Sequence, residues 1–330
     1  MPTTAARTAP RRRLLVTGAG GAPGLDLAAD LASAGHQVLG TDSNPLAPGL
    51  LIPGISTRVV SRADSAAYEH DLWALVRSFR PEGIISTVEH ELPKLIALQS
   101  TLAEARVRTW LPTLAAATAS IDKARFYEIA AAHKIPIPHT ALPADLHLLP
   151  DTGDFVVKPR RGQGAKDVYF CHTRRQAEIL CELVADPIVQ ERVRGQEFSA
   201  DCLVDRSGQA SVILRKRLLV HGGASLVAAT FHHPQATDLV RATLSAVGAV
   251  GPCDVQGFLT DDSDARPVVM TEINSRLAAG YRLSQIAGAD LVEQALNGLF
   301  GDPIDHDRLR YRPDVYLTKY TAVLSTRTRP

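Results

Sequence analysis

Short apolar runs alternate with amphipathic stretches through the first third of the chain. Arg13 to Thr17 is a brief apolar run that ends in Gly18-Ala-Gly-Gly-Ala-Pro-Gly24. Leu25, Leu27, Ala28 and Leu31 then recur at helical spacing, Gly35 stops the helix, and Gln37 to Thr41 is apolar again. A period near two that gives way to 3.6 and back predicts a β-α-β unit. A helix over 65–79, a strand over 83–87, a helix over 91–104 and a strand over 107–111 continue the rhythm, which predicts a parallel sheet with helices on both faces.

A helical stretch over 113–135 follows, and the segment from Ile135-Pro-Ile-Pro138 to about Leu149 is rich in turn residues, as a hinge would be. Beyond it the alternation changes. Strand patterns fall at 154–159, 167–171, 187–193, 197–205, 210–220, 255–260 and 267–273, with helices only around 174–184 and 237–247. Strands that follow strands in this way predict an α+β half with a largely antiparallel sheet. The expected division is a domain over 1–112 and a second over 113–330.

Composition narrows the class. The chain has 330 residues, 45% of them hydrophobic, and 36 basic residues stand against 35 acidic ones. That balance argues against a surface built to neutralise nucleic-acid phosphates. Arg11 to Arg13 reads as a short solvated arm. Cys171, Cys181, Cys202 and Cys253 show no Cys-x-x-Cys spacing, so reduced thiols are expected. No apolar signal core follows Met1 and no uncharged run is long enough to span a bilayer, which predicts a cytoplasmic protein without membrane contact.

Thr17-Gly18-x-x-Gly21-x-x-Gly24 lies between a strand and a helix, with Asp42 closing the next strand. Glycines in such a turn let a pyrophosphate approach a helix N-terminus while the acid takes ribose hydroxyls, as in NAD-dependent dehydrogenases and epimerases. Those enzymes also use a Tyr with a Lys four residues on. None of the seven tyrosines has one; Tyr316, with Lys319 three residues later, comes nearest. A tight turn without a dinucleotide is the expected reading.

The lysines are more informative, because only seven of the 36 basic residues are lysine. Lys123 lies in Asp122-Lys-Ala-Arg-Phe126, Lys158 ends Phe155-Val-Val-Lys-Pro159, and Lys166 follows Arg161-Gly-Gln-Gly-Ala165. Gly162 and Gly164 can offer backbone N–H groups to phosphate oxygens, and an ammonium at a strand end can hold a phosphate; solvated lysines on a hairpin are the other reading. Glu191 and Val193 could present a carboxylate and backbone edges to an adenine, and Glu197 could accept from ribose hydroxyls. Glu272 and Asn274, at i and i+2 of Val269-Met-Thr-Glu-Ile-Asn274, share a strand face, with Gln256 on a neighbouring strand. Three oxygen donors without His or Cys suit Mg²⁺ and are a poor zinc set.

Taken in order, these segments resemble the ATP-grasp superfamily, and within it the carbamoyl-phosphate-synthase-like carboxylate-amine ligases. The motifs are Gly40-Thr-Asp42-Ser-Asn-Pro45, Thr87-Val-Glu89-His-Glu91-Leu92, Asp122-Lys123 with Phe126, Val157-Lys158-Pro159 with Gly162-Gln-Gly164, Gln190-Glu191 through Glu197, Arg215-Lys-Arg217, and Glu272-Ile-Asn274-Ser-Arg276 before Ala287-Gly-Ala-Asp290. The likeness covers about residues 14–300. It implies a Rossmann-like N-terminal domain of the pre-ATP-grasp type and an ATP-grasp fold after it, with a mobile lid subdomain over about 123–192 and a C-terminal core over 193–330.

The resemblance also implies roles. Lys123, Lys158, Gly162, Gly164 and Lys166 would contact ATP phosphates, Gln190, Glu191, Val193 and Glu197 would hold adenosine, and Gln256, Glu272 and Asn274 would bind Mg²⁺, or Mn²⁺ in its place. Arg276 would stabilise the transferring phosphoryl group beside Lys158. Arg215 and Arg217 could clamp a substrate carboxylate or form structural ion pairs, and Glu89 and Glu91 could hold an ammonium or simply open a helix. His221, His232 and His233 could face the site or serve structure. Ser275 and Ala278-Ala279-Gly280 stand where the family often has Pro and paired glycines.

The expected reaction is ATP-dependent amide formation through an acyl phosphate from small-molecule carboxylate and amine substrates of amino-acid or peptide-like character, releasing ADP and phosphate, in a possible homodimer. An ATP-grasp protein that binds nucleotide without ligating, and an NAD-dependent dehydrogenase or epimerase, are the competing readings.

Overall fold

In the computed structural model, residues 10–261, 265–320 and 323 are described. The chain forms two compact units. Among the described residues, the first comprises 10–88, 98–109 and 323, and the second 89–97, 110–261 and 265–320.

The first unit begins with β1 (Arg13–Thr17), α1 (Ala22–Ser33), β2 (Gln37–Asp42), β3 (Ser56–Val59), α2 (Tyr68–Phe79) and β4 (Gly83–Ser86). A turn of 3₁₀ helix at Glu89–Glu91 and α3 (Leu92–Ala97) cluster with the second unit, after which α4 (Gln99–Glu104) and β5 (Arg108–Thr109) complete the first. The five strands are parallel in the order β3-β2-β1-β4-β5. Leu14, Leu15 and Val16 are wholly buried, as a central parallel strand covered on both faces requires. The helix expected over 91–104 is broken at Leu98. Nor do Arg12 and Arg13 form a free arm: Arg12 Nη1 and the Arg13 N–H both donate to the Glu82 carboxylate, at 2.9 and 3.1 Å.

The glycine turn is tight. A Cβ at Gly24 would lie 2.2 Å from Gly18 O, so α1 can start this close only without one. Asp42 gives both oxygens to its own unit, accepting from the Gly20 N–H at 2.7 Å and the Asn44 N–H at 2.8 Å. The acid that a dinucleotide would need for its ribose is already engaged.

The second unit continues with α5 (Leu114–Ile121) and α6 (Lys123–Ala132), separated at Asp122, whose carboxylate caps α6 by accepting from the Arg125 N–H. A four-stranded antiparallel sheet follows, built from β6 (Thr140–Ala141), β7 (Thr152–Pro159), β8 (Tyr169–Thr173) and β9 (Pro187–Glu191) in the order β6-β9-β7-β8. Its apolar face packs Phe155, Val157 and Val189 with Ala177 of α7 (Arg174–Leu183).

The larger sheet contains β10 (Gly195–Val204), β11 (Ala210–His221), β12 (Ala224–Thr230), β13 (Gly251–Thr260), β14 (Val268–Asn274) and β15 (Tyr316–Thr318). It runs β14-β13-β10-β11-β12-β15, antiparallel throughout. One face carries Phe198, Ala200, Cys202, Leu214, Cys253, Val255 and Ile273 into a core with Val240, Leu244 and Val247 of α8 (Pro234–Val247). Period two sends the intervening residues to the other face, and these are Glu197, Ser199, Asp201, Arg215, Arg217, Asp254, Gln256, Glu272 and Asn274. Between β14 and β15 the chain forms α9 (Tyr281–Ile286) and α10 (Leu291–Phe300). The four cysteines are free. Among the described residues no helix is long and apolar enough to cross a membrane.

Candidate active site

The polar face of the large sheet assembles the site. Antiparallel register sets Gln256 opposite Glu272 and Asp254 opposite Asn274. A bulge after Gln256 gives Thr271 no opposite partner, and its carbonyl accepts from Tyr127 Oη at 2.6 Å. The bulge fixes which face Glu272 occupies, since a one-residue slip would turn it into the apolar core.

Asp254 organises the three expected metal ligands. Its Oδ2 accepts from Gln256 Nε2 at 3.0 Å and Asn274 Nδ2 at 3.2 Å. Both amides therefore turn their oxygens the other way, where Gln256 Oε1 accepts from Arg217 Nη1 at 3.0 Å and Asn274 Oδ1 from Arg276 Nη2 at 3.3 Å. Glu272 meets Lys123 Nζ at 3.7 Å. One carboxylate and two amide oxygens, all hard donors, fit a Mg²⁺ ion that keeps waters and takes phosphate oxygens, with less negative charge than two carboxylates would supply. Asp254 Oδ1 is buried and, among the described residues, has no hydrogen bond.

Lys123, the first residue of α6, donates from Nζ to Gly162 O at 2.7 Å and so reaches the glycine segment directly. The start of α6 is held because Asp122 takes both Arg160 Nε and Arg160 Nη2, the latter at 2.8 Å. Lys158 ends β7 facing the same group of charges. Burial pushes its ammonium down to about 8, opposed by Glu272 and reinforced by Lys123. The glycine segment lies against the β11–β12 turn, where a Cβ at Gly223 would meet the Gly164 carbonyl carbon at 2.9 Å. Lys166, beyond Gly164, is exposed.

Arg276 is held just past β14. Besides Asn274, its guanidinium donates to Leu277 O at 3.1 Å, and Nε lies 3.7 Å from Glu89 Oε1. Burial pushes the Glu89 carboxyl up to about 7, with Arg276 opposing and Glu272 adding to the rise.

Several expectations change. Arg215 does not offer its fork to a substrate: it is 2% exposed and gives Nε and Nη2 to Asp201 at 2.7 and 2.8 Å, and Ser284 donates to the same carboxylate. Arg217 is likewise engaged, with Nη1 on Glu197 at 2.8 Å and Nη2 on Gly223 O at 2.6 Å; its buried Nε alone has no hydrogen bond. Gln190 serves packing, accepting from Tyr127 Oη at 3.1 Å and donating to Thr140 Oγ1 at 2.8 Å. Glu191 pairs with Arg266 at 2.7 Å and accepts from the His139 N–H, so its carboxylate is taken. Glu191 and Val193 nevertheless line a cavity of about 320 Å³ with Arg192, Arg194, Asp261, Ala265 and Arg266. Burial raises the Glu197 carboxyl although Arg217 opposes it.

Glu91 is buried in the same turn as Glu89. His233 caps α8 through Nδ1, His232 packs edge-on against Tyr311, and His221 is exposed at the end of β11. Ser275 hydrogen-bonds Ser120 Oγ at 2.6 Å, tying the segment after Asn274 to α5. A Cβ at Gly280 would sit 2.1 Å from Arg215 Nη1, so the glycine makes room for the buried guanidinium. Sequence reasoning missed Asp254 and Asp201. The signal was present, since each acid lies between apolar neighbours, Asp201 between Ala200 and Cys202 and Asp254 between Cys253 and Val255.

Residues 184–322 match the family model described as "ATP-grasp in the biosynthetic pathway with Ter operon". No curated protein matches the sequence. Solved structures match its fold. Biotin carboxylase from Campylobacter jejuni superposes with a TM-score of 0.72 at 12% identity, over 92% of this chain and 74% of that one. L-amino acid ligase from Bacillus licheniformis gives 0.69 at 17% identity over 92% and 78%. N5-carboxyaminoimidazole ribonucleotide synthetase from Thermotoga maritima gives 0.63 at 17% identity over 89% and 77%.

Proposed function

We propose that the chain is an ATP-grasp protein, supported by its fold and by the family match over residues 184–322, and that it is an ATP-dependent ligase joining a carboxylate to an amine. The observation that carries this reading is the convergence of Lys123, Glu272, Asn274, Gln256 and Arg276 around one sheet face, with Lys158 at its edge. Separate lysines, a hard oxygen set and a fixed guanidinium are the parts that phosphoryl transfer needs, since its catalysis is positioning and charge neutralisation.

Glu272, Asn274 and Gln256 would hold Mg²⁺, which supplies charge neutralisation at the nucleotide phosphates. Lys158 and Lys123 hold phosphate oxygens, and Arg276 stabilises charge on the γ-phosphoryl group as the substrate carboxylate attacks it. The segment from Gly162 to Lys166 covers the phosphates and excludes the water that would hydrolyse the acyl phosphate. Val193 and Glu197 hold the adenosine, with Glu191 and Gln190 shaping that edge of the site. Arg215 acts through Asp201 and Asp254 as a support under the metal ligands rather than on substrate. The domain assignment follows the same reading, with a pre-ATP-grasp domain over 1–112 and, within 113–330, a lid over about 123–192.

An amino-acid ligase bound to this chemistry releases phosphate only with ATP, Mg²⁺ and both substrates. The test is phosphate release across a panel of amino acids, with Glu272→Gln beside the wild type. Glu272→Gln should fold and lose on the order of 10²-fold or more, because it keeps the shape and removes the only carboxylate among the proposed ligands. Near-wild-type release by a folded variant overturns the metal assignment. Binding of ATP without release for any amino acid favours the reading in which the nucleotide is bound and not used for ligation.

A further inference from the structure

Glu89 is a buried carboxylate with an oxygen left open. Its side chain is 7% exposed, and among the described residues Oε1 has no hydrogen-bond partner. A desolvated, unpaired carboxylate oxygen is costly, and folded chains keep such an atom where a ligand completes it. Arg276 does not complete it. The 3.7 Å from Nε to Oε1 is too long for a hydrogen bond, and the two Nη atoms are tied to Leu277 O and Asn274 Oδ1. The guanidinium is therefore fixed beside Glu89 rather than folded onto it.

The pair presents a positive and a negative group side by side, and the positive one is the guanidinium to which the ligase reading gives the γ-phosphoryl group. An α-amino acid carries the reverse arrangement, a carboxylate and an ammonium one carbon apart. We propose that Glu89 seats the α-ammonium of the substrate whose carboxylate is phosphorylated, so that the carboxylate donor of this ligase is an α-amino acid. This rests on the ligase reading above. An α-hydroxy acid of the same shape would leave Oε1 desolvated and without a cation, so the site rejects it. A metal ion is a poorer occupant, because Arg276 and Lys123 both act on Glu89, and the other carboxylates that do, Glu272 and Asp254, are engaged with Lys123 and with the Gln256 and Asn274 amides.

Hydroxylamine replaces the unidentified amine in the test. The amino-acid carboxylate oxygen forms a bond to the γ-phosphorus as the bond to the bridging oxygen breaks and ADP leaves. Hydroxylamine nitrogen then attacks the acyl carbon, phosphate departs, a proton is released and a hydroxamate results. Each of the common L-amino acids is assayed with ATP and Mg²⁺, and each active one is compared with its α-hydroxy acid, for instance L-lactate against L-alanine.

The expected result is hydroxamate from amino acids and not from hydroxy acids. Glu89→Gln should raise the KM for the amino acid on the order of 10-fold to 100-fold, the loss of a hydrogen bond to a charged group, while the KM for ATP changes by a few fold. Its melting temperature without ligand should not fall, since a buried charge has been removed. Should that variant not fold, Glu89→Asp, which withdraws the carboxylate by one methylene, reads the same KM. Equal use of hydroxy acids by the wild type, or an unchanged amino-acid KM in the variant, overturns the proposal. So does the absence of hydroxamate from every amino acid while ATP with Mg²⁺ still raises the melting temperature. If ATP with Mg²⁺ fails to raise it, the ligase reading itself falls and the ammonium seat falls with it.

Discussion

Lys158 carries a cost that the ligand-free protein bears alone. Burial disfavours its ammonium and moves it down to about 8, so between that pH and the usual lysine value near 10.5 the folded chain binds fewer protons than the unfolded one. Stability attributable to this group therefore rises with pH through that window, and the penalty is full below about 8. Lys158→Met should raise the melting temperature of ligand-free protein at pH 7, with an advantage that shrinks toward pH 10.5. Thermal unfolding across pH 7–10.5 checks this, and a gap that does not narrow would mean that the ammonium is not the source. The sequence marked Lys158 correctly as a lysine at a strand end. It could not show that Arg215, on the other sheet, is spent on Asp201, because both sit at alternate positions whose partners are set by register.

At the scale of the element, β10, β11, β13 and β14 work as one two-faced layer. The polar face is held by Arg215 between Asp201 and Asp254, at 2.7 and 3.7 Å, with every member almost fully buried. Gly280 in the loop before α9 gives this guanidinium its space. In Gly280→Ala the new methyl would press on Nη1, and Arg215 can move away only by disturbing the Nε and Nη2 bonds to Asp201. We expect a loss of about 3 kcal/mol, as when one partner of a buried ion pair is removed, read as a lower urea midpoint with an unchanged slope. A variant within a few tenths of wild type would show that the fork can rearrange. The strands of this layer were legible from period two, and the acids from their apolar neighbours. The bulge at Thr271 was not, since a bulge adds one residue without altering composition.

At the scale of the whole molecule, ATP with Mg²⁺ should raise the melting temperature, because a ligand that binds only the folded state adds about 2.7 kcal/mol at 100 times its Kd. NADH should have no effect, since Asp42 already gives both oxygens to backbone N–H groups. The reverse ranking would sink the nucleotide assignment.

The sequence by itself determined the parallel sheet of the first unit and the antiparallel sheets of the second, and it singled out the lysines, carboxylates and arginine on which the proposed site rests. Those follow from periodicity, turn residues and the cost of burying charge, which are local properties of the chain. It could not determine which polar groups were already satisfied. Arg215, Gln190 and Glu191 found partners inside the protein, whereas Glu89 Oε1 and Asp254 Oδ1 did not. Only the tertiary structure decides this, because a hydrogen bond depends on the register of strands brought together from distant parts of the chain.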